Sequence, residues 1–304
     1  MRLKDLGEFE IIERIKRKSS FNKGVFLGPG DDCAVLEFDS KRFQLFTCDM
    51  IIEDVDFRLR EDPYLIGRKA IAVSLSDIAS SCGIPTHCLV SAGLSKNTGV
   101  KYFDRILKGM FDIAGEFKVN IVGGDLSSSR KLVIDVSMLG LVEKNRIALR
   151  SGARKGDYIF MTGEFGDNSS GKHFKFIPRV KEARFLTENF KVNSMIDISD
   201  GLIQDMRHIL KSSSCGAFIY EDLLPLSPKA RSLSSALTNG EEFELIFTLP
   251  RREGLKLIKR RIVNFSLIGE ITDRKFGFNL VESSGKIRKI GFDNLFFSGY
   301  SHFK

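Results

Sequence analysis

The sequence predicts an α/β (α+β) chain built in two parts. Three observations carry that expectation. Short apolar runs with strand-like alternation are followed repeatedly by longer runs with helical spacing. A polar, glycine-bearing stretch, Arg150-Ser151-Gly152-Ala153-Arg154-Lys155-Gly156-Asp157, interrupts the pattern near the middle, and the alternation then starts again. The chain has 304 residues, 42% hydrophobic and 28% charged, enough for two ordinary domains of a globular protein. We expect a first domain over 1–148 and a second over 149–304.

The elements follow in order. Gln44 to Thr47 and the residues after it read as a strand ending at Asp49. Leu65 to Cys82 reads as a helix, because Ile71, Leu75 and Ile78 recur at helical spacing and Gly83 and Pro85 stop it. Thr86 to Leu94 reads as a strand. Val100 to Phe117 is an amphipathic helix with Phe103, Ile106, Leu107, Met110 and Ile113 on one side. Val119 to Val122 is a short strand leading into Gly123-Gly124-Asp125, and Lys131 to Val142 alternates like a longer one. In the second half a strand over Tyr158 to Thr162 precedes a helix over roughly Pro178 to Asn189. A strand ending at Asp197, a helix from Gly201 to about Ser213, and strands around Cys215–Tyr220, Phe243–Thr248 and Ser266–Ile271 complete the series.

Composition narrows the chemistry. The five cysteines (Cys33, Cys48, Cys82, Cys88, Cys215) form no C-x-x-C pair, which argues against a disulfide framework or structural zinc. Only four histidines occur and no H-E-x-x-H is present, so a zinc hydrolase is not expected. The net charge of +8 comes from dispersed basic residues, and tryptophan is absent, which disfavours nucleic-acid binding. Apolar runs such as Leu89 to Leu94 are too short to span a membrane, and MRLKDLGEFE has no apolar signal core. The expected location is the cytoplasm.

Six acidic sites share one local grammar: Gly30-Asp31-Asp32, Cys48-Asp49-Met50, Leu75-Ser76-Asp77, Gly123-Gly124-Asp125, Asp197-Ile198-Ser199 and Ser199-Asp200-Gly201. Most stand at a strand end or turn beside Gly or Ser and next to apolar residues. Carboxylates so placed are costly to bury unless a cation or hydrogen bonds compensate. Converging aspartates with hydroxyl neighbours suit Mg²⁺, a hard ion that shares its oxygen ligands with phosphates. Taken singly, each has a bland reading of at least equal weight: Asp200 as a helix N-cap, Asp31 or Asp32 as a turn residue. Asp77 resists it most, since Asp is a poor helix former and stands inside a helical pattern. No P-loop, dinucleotide fingerprint or protein-kinase signature occurs.

The ordered series GPGDDCAVL (28–36), TCDMIIEDVDF (47–57), KAIAVSLSDIAS (69–80), IVGGDLSS (121–128), RSGARKGDYIFMTGEFGDNSSG (150–171), MIDISDGLIQDMRHI (195–209), NGEEFEL (239–245) and GYSHF (299–303) resembles the motif series of the thiamine-monophosphate kinase family. The resemblance runs from end to end. It implies a two-domain fold of the aminoimidazole ribonucleotide synthetase type, with N-terminal domains pairing in a homodimer and ATP at the dimer cleft. It implies ATP-dependent phosphorylation of thiamine monophosphate to thiamine diphosphate, with Mg²⁺ as cofactor. By position, the implied metal residues are Asp32, Thr47, Cys48, Asp49, Asp77, Asp125, Asp197 and Asp200. Gly124, Asp125, Arg150 and Ser199 fall at nucleotide contacts. Asp56, Glu241 and Tyr300 fall on the acceptor side, and Asp49, Asp77, Arg150 and Asp200 at the reacting centre.

Three positions depart from the family pattern: Asp56 stands where a histidine is frequent, Cys48 replaces a hydroxyl residue, and Tyr300 takes the place of a tryptophan. Two alternatives to the kinase remain open at this level. One is a related ATP-dependent synthetase or ligase, such as a purine-pathway cyclo-ligase. The other is a non-catalytic basic protein that binds ATP or RNA.

Overall fold

The computed structural model of the protein describes residues 2, 5–167, 171–262 and 264–291. Its first half runs α1 (Glu8–Lys18), β1 (Val25–Leu27), β2 (Ala34–Glu37), β3 (Arg42–Ile52), α2 (Pro63–Ser80), β4 (Ile84–Leu94), α3 (Val100–Glu116), β5 (Asn120–Ser128) and β6 (Val133–Glu143). The second half runs β7 (Tyr158–Thr162), α4 (Lys172–Lys175), α5 (Val180–Asn189), β8 (Ser194–Asp197), α6 (Leu202–Ser213), β9 (Gly216–Tyr220), α7 (Leu233–Thr238), β10 (Leu245–Leu249), α8 (Arg251–Lys259), β11 (Phe265–Thr272), β12 (Phe278–Val281) and β13 (Ile287–Lys289).

The strands form two sheets, of order β1-β2-β3-β6-β4-β5 and β13-β12-β9-β11-β7-β10-β8. Pairing in the first is antiparallel except between β4 and β5. Pairing in the second is antiparallel except between β9 and β12. The architecture is therefore the mixed α/β one that the alternation predicts. Two strands outrun their expected ends. β3 continues past Asp49 because it pairs with β6 as far as Ile52 opposite Val133. β5 continues through Gly123-Gly124 because its parallel pairing with β4 holds to Ser128.

Helix α2 organises the molecule. Asp62 caps it by accepting from the Tyr64 N–H at 3.0 Å, and Pro63 occupies its first turn. Cys82 ends it in a left-handed conformation, with the Gly83 N–H returned to the Ile78 carbonyl at 2.8 Å. Between these ends it is buried nearly all round, as a helix packed on several sides must be. It crosses α3 at two glycines: a Cβ on Gly67 would lie 2.0 Å from the Ile106 oxygen, and one on Gly109 1.9 Å from the Tyr64 oxygen.

One apolar core runs from the first sheet through α2 into the second sheet, joining Leu45, Ile71 and Val136 to Phe160, Leu245 and Phe247. The other face of the second sheet, with Ile159, Met161, Ile196 and Ile219, packs on α6 residues such as Met206 and Ile209 in a separate core. The two sheets are thus distinct, while the hydrophobic contact between them is continuous. Polar clamps reinforce it. Arg184 of α5 grips Glu143 of β6 with two bonds of 2.7 and 2.8 Å, and Arg68 of α2 donates to the carbonyls of Phe174 and Phe176 at 3.1 and 2.5 Å.

Candidate active site

The segment between β1 and β2, strand β3, helix α2 and the end of β8 deliver carboxylates to one place. Oxygens of Asp32, Asp77 and Asp197 all lie within 4.8 Å of one another. Asp49, inside β3 beside Thr47, adjoins them. Side-chain hydroxyls fix the group: Ser74 donates to Asp49 Oδ2 at 2.8 Å, Ser76 donates to Asp197 Oδ2 at 2.5 Å, and Thr47 donates to Asp77 Oδ2. Two of these donors and Asp77 itself belong to about one turn of α2. Arg150 closes the group from the linking segment, its Nε 2.9 Å from Asp32 Oδ1 and its backbone N–H 3.0 Å from Asp31 Oδ2.

This concentration of negative charge is electrostatically uncomfortable. Burial first, then the charges of Asp49, Asp197 and Asp32, push Asp77 well above the ordinary carboxylate range. Burial, then Asp32, raises Asp197 to about 8. Burial raises Asp49 to about 6, against the hydrogen bonds from Ser74 and Asp77. Burial and Asp32 together raise Asp31 to about 7. Burial works against the charge of Arg150, but Asp32, Asp31 and Asp205 outweigh it and hold the guanidinium protonated.

A second group also lies within the field of Arg150. Ligand atoms of Asp200, Asp205 and His208 also lie within 4.8 Å of one another. Asp205, in the first turn of α6, reaches back to accept the backbone N–H groups of Asp200 and Gly201 at 3.1 and 3.0 Å. That shapes the Ser199–Gly201 turn as a cap rather than a free loop. His208 is driven down to about 3 by burial and by the nearby charges of Arg150, Lys211, Lys16 and Arg207, so it is neutral at physiological pH.

Other expected residues fall elsewhere. Cys48 alternates with Thr47 and Asp49 along β3, so its thiol lies on the outer face of the first sheet, where it donates to Asp135 Oδ2 at 3.2 Å and accepts from Ser137 Oγ. The thiol is thereby turned away from the carboxylates, so the Sγ atom is not a ligand to that group, and the expectation for Cys48 is left to its backbone carbonyl. Asp125 is exposed on edge strand β5, opposite Ser91 and in the row that continues to Asp135, and it belongs to neither carboxylate group. Gly124 beside it must be glycine, since a Cβ would stand 1.7 Å from the Val90 oxygen. Asp56 Oδ2 accepts the Ile52 N–H at 2.7 Å, closing the turn after β3; this gives it a structural job independent of any substrate. Glu241 takes a left-handed backbone conformation, bonds the Ser199 oxygen through its own N–H at 2.7 Å, and pairs with Lys69 of α2. Tyr300 lies outside the described residues.

Lys69, Ser74, Ser76, Asp205 and His208 are the site residues that motif reading passed over. Their signal was polar residues placed inside apolar helical runs, as in Lys69-Ala-Ile-Ala-Val-Ser-Leu-Ser.

The chemistry of the donor set fits Mg²⁺. All three converging ligands are carboxylates, and the buried Asp32 Oδ2 has no hydrogen-bond partner among the described residues, so the group includes an unsatisfied acceptor oxygen. Fold and site together are those of a mixed α/β protein with a buried group of carboxylates suited to hold an oxygen-ligated divalent cation. A family model described as AIR synthase related protein, N-terminal domain, matches residues 30–142. The thiamine-monophosphate kinase of Buchnera aphidicola subsp. Schizaphis graminum is 33% identical over 95% of this chain and 99% of its own. That of Escherichia coli K12 is 31% identical over 98% of both. A solved structure of AaThiL complexed with AMPPCP and TMP superposes with a TM-score of 0.84 at 29% identity, covering 99% of each chain. The chain belongs to the thiamine-monophosphate kinase family.

Proposed function

We propose that this protein transfers the γ-phosphoryl group of ATP to thiamine monophosphate, giving thiamine diphosphate and ADP. The observation that carries the reading is the convergence of Asp32, Asp77 and Asp197, with an unsatisfied buried oxygen among them, in a chain similar over nearly its whole length to kinases of that name. The similar AaThiL structure holds AMPPCP, an analogue of ATP with an uncleavable terminal bridge, together with TMP.

The acceptor presents an ionised phosphate oxygen, so the transfer calls for positioning and charge neutralisation more than for a strong base. Mg²⁺ held by Asp32, Asp77 and Asp197, with Asp49 and Asp200 adjoining, would supply that neutralisation on the donor phosphates. The chain's own residues prepare the site. Ser74, Ser76 and Thr47 orient carboxylate oxygens, and Arg150 fixes Asp32 while keeping a permanent positive charge near members of both acidic groups. Gly124, Asp125, Arg150 and Ser199 are the nucleotide contacts in this reading, and Glu241 lies on the acceptor side.

Homodimerisation completes the proposal. The outer face of the first sheet and its edge leave Phe46, Met50, Leu89, Val122 and Leu126 exposed, a patch of the kind that marks an interaction surface. A second copy covering it brings a neighbour to Asp125 and Cys48. Among the described residues no helix is long and apolar enough to cross a membrane, and we place the reaction in the cytoplasm.

The test is a coupled ADP assay with MgATP across thiamine monophosphate and control phosphates, with chromatographic detection of product. Thiamine diphosphate forming only with Mg²⁺ and ATP is the expected result. ATP consumption with another metabolite, and no diphosphate from thiamine monophosphate, would overturn the assignment.

A further inference from the structure

Lys69 is a cation placed where a cation is costly. Its side chain is 1% exposed, in the middle of helix α2, and a buried ammonium persists only with close compensation. That compensation comes from two directions. Nζ donates to the Asp56 carbonyl at 2.8 Å, on the turn after β3. It also pairs with Glu241 Oε1, on the loop that precedes β10. The Phe174 ring lies 5.2 Å from Nζ and adds its face to the contact. One ammonium thus joins three segments, two of them from the second half of the chain.

Glu241 is the member of this set that opens outward. Its side chain is 42% exposed, against 1% for Lys69, so one oxygen is tied inward while the rest of the carboxylate faces the open side. Its backbone is as constrained as its side chain: φ is +63°, and Gly240 packs so tightly on the Ser199 carbonyl that a Cβ there would stand 2.2 Å from the oxygen. The carboxylate therefore has a fixed address beside the Ser199–Asp200 turn. Lys69 also has a fixed distance from the metal-type carboxylates. It stands seven and eight residues before Ser76 and Asp77 on the same helix, about 10–12 Å along the axis.

We propose that Lys69 is the positioning residue of the acceptor pocket. It orients the Glu241 carboxylate toward a cationic heteroaromatic ring and cancels that carboxylate's charge enough for the acceptor's own phosphate to be admitted. The inference rests on the acceptor reading above, since a molecule with a cationic ring and an anionic phosphate is what such a wall suits. Lys69 itself touches no substrate; it acts through Glu241.

The experiment uses the full chain and the variants K69M, K69R, E241Q and K69M/E241Q. For each, KM for thiamine monophosphate, KM for ATP, kcat and the thermal midpoint are measured. K69M is expected to raise the acceptor KM by about tenfold or more, the scale of one lost charge-assisted contact. The ATP KM should stay within about twofold, and K69R, which keeps the charge, should recover part of the loss. Because the two residues act as one unit, K69M/E241Q should be no worse than the poorer single variant. An unchanged acceptor KM in folded K69M, equal rises in both KM values, or multiplication of the two single effects in the double variant would each overturn the proposal. Should K69M fail to fold, E241Q and the double variant, which leaves no uncompensated buried charge, decide it: an unchanged acceptor KM in both refutes it. A wild-type enzyme that makes no thiamine diphosphate sinks the acceptor reading itself, whereas an active wild type matched by K69M sinks only the role of Lys69.

Discussion

Replacing Asp77 by Asn should abolish turnover while leaving the metal-free protein at least as stable as the wild type. The opposed signs follow from the carboxylate group. Oxygens of Asp32, Asp77 and Asp197 lie within 4.8 Å of one another; at an effective dielectric constant of about 20, each pair of full charges at that spacing repels by about 3 kcal/mol. The group relieves this by holding protons, with Asp77 well above its ordinary range and Asp197 at about 8. A carboxylate whose pKa is raised on folding contributes stability that is complete below its unfolded pKa and is lost as pH rises through the folded one. Metal-free wild type should therefore lose stability between about pH 4 and about pH 8, by up to about 1.4 kcal/mol per pH unit for each proton retained. That is a fall of about 2–4 °C in midpoint for each kcal/mol. D77N, neutral at every pH, should show a shallower slope. Mg²⁺ with ATP should lift the wild-type midpoint most at the alkaline end and lift D77N little. The measurements are thermal melts from pH 6 to 9 with and without MgATP, and the coupled ADP assay, in which D77N should fall by about 100-fold or more. A wild-type midpoint indifferent to both pH and Mg²⁺, or a D77N enzyme close to normal activity, would refute the reasoning.

Two further expectations concern the frame that holds the site. G109A puts a methyl group 1.9 Å from the Tyr64 oxygen at the α2–α3 crossing and should destabilise the protein by about 3 kcal/mol or more; G115A on the same helix, with nothing within 4 Å, should be neutral or gain up to about 1 kcal/mol in chemical denaturation. Glu143 is held down to about 2, chiefly by its hydrogen bonds from Arg184, so the clamp is complete above about pH 4.5 and fades as pH falls toward 2. R184M should accordingly lose less stability than wild type between pH 5 and 3 in thermal melts, and equal slopes would deny the clamp its role.

The parts of the fold that were legible in the sequence are those governed by local periodicity. Tyr158–Thr162 and the helix starting at Val100 begin where spacing and alternation place them. The expected end of β3 at Asp49 was three residues short, because the strand is prolonged by pairing with β6, a partner far along the chain. The same holds for β5, whose glycines looked like a stop but pair with β4. The site divides in the same way. Asp32, Asp77 and Asp197 carry a local signature of small or hydroxyl neighbours, and they converge. Which face of β3 the Cys48 thiol occupies is decided by alternation about Thr47 and Asp49, a rule that motif matching does not apply. Lys69 was illegible for a different reason: its partner Glu241 is 172 positions away, and a lysine in an apolar helix reads as a solvated residue until the structure surrounds it.

Helix α2 carries Lys69, Ser74, Ser76 and Asp77, and nearly all of its surface is enclosed. Each residue inserted into or deleted from a helix turns everything beyond it by about 100°. A single insertion between Lys69 and Asp77 would leave both ends buried but swing one away from its partners, parting the Glu241 contact from the carboxylate group. The length of this stretch is therefore a stricter constraint than its composition: apolar substitutions within it can be accommodated by repacking, but a change in residue count cannot.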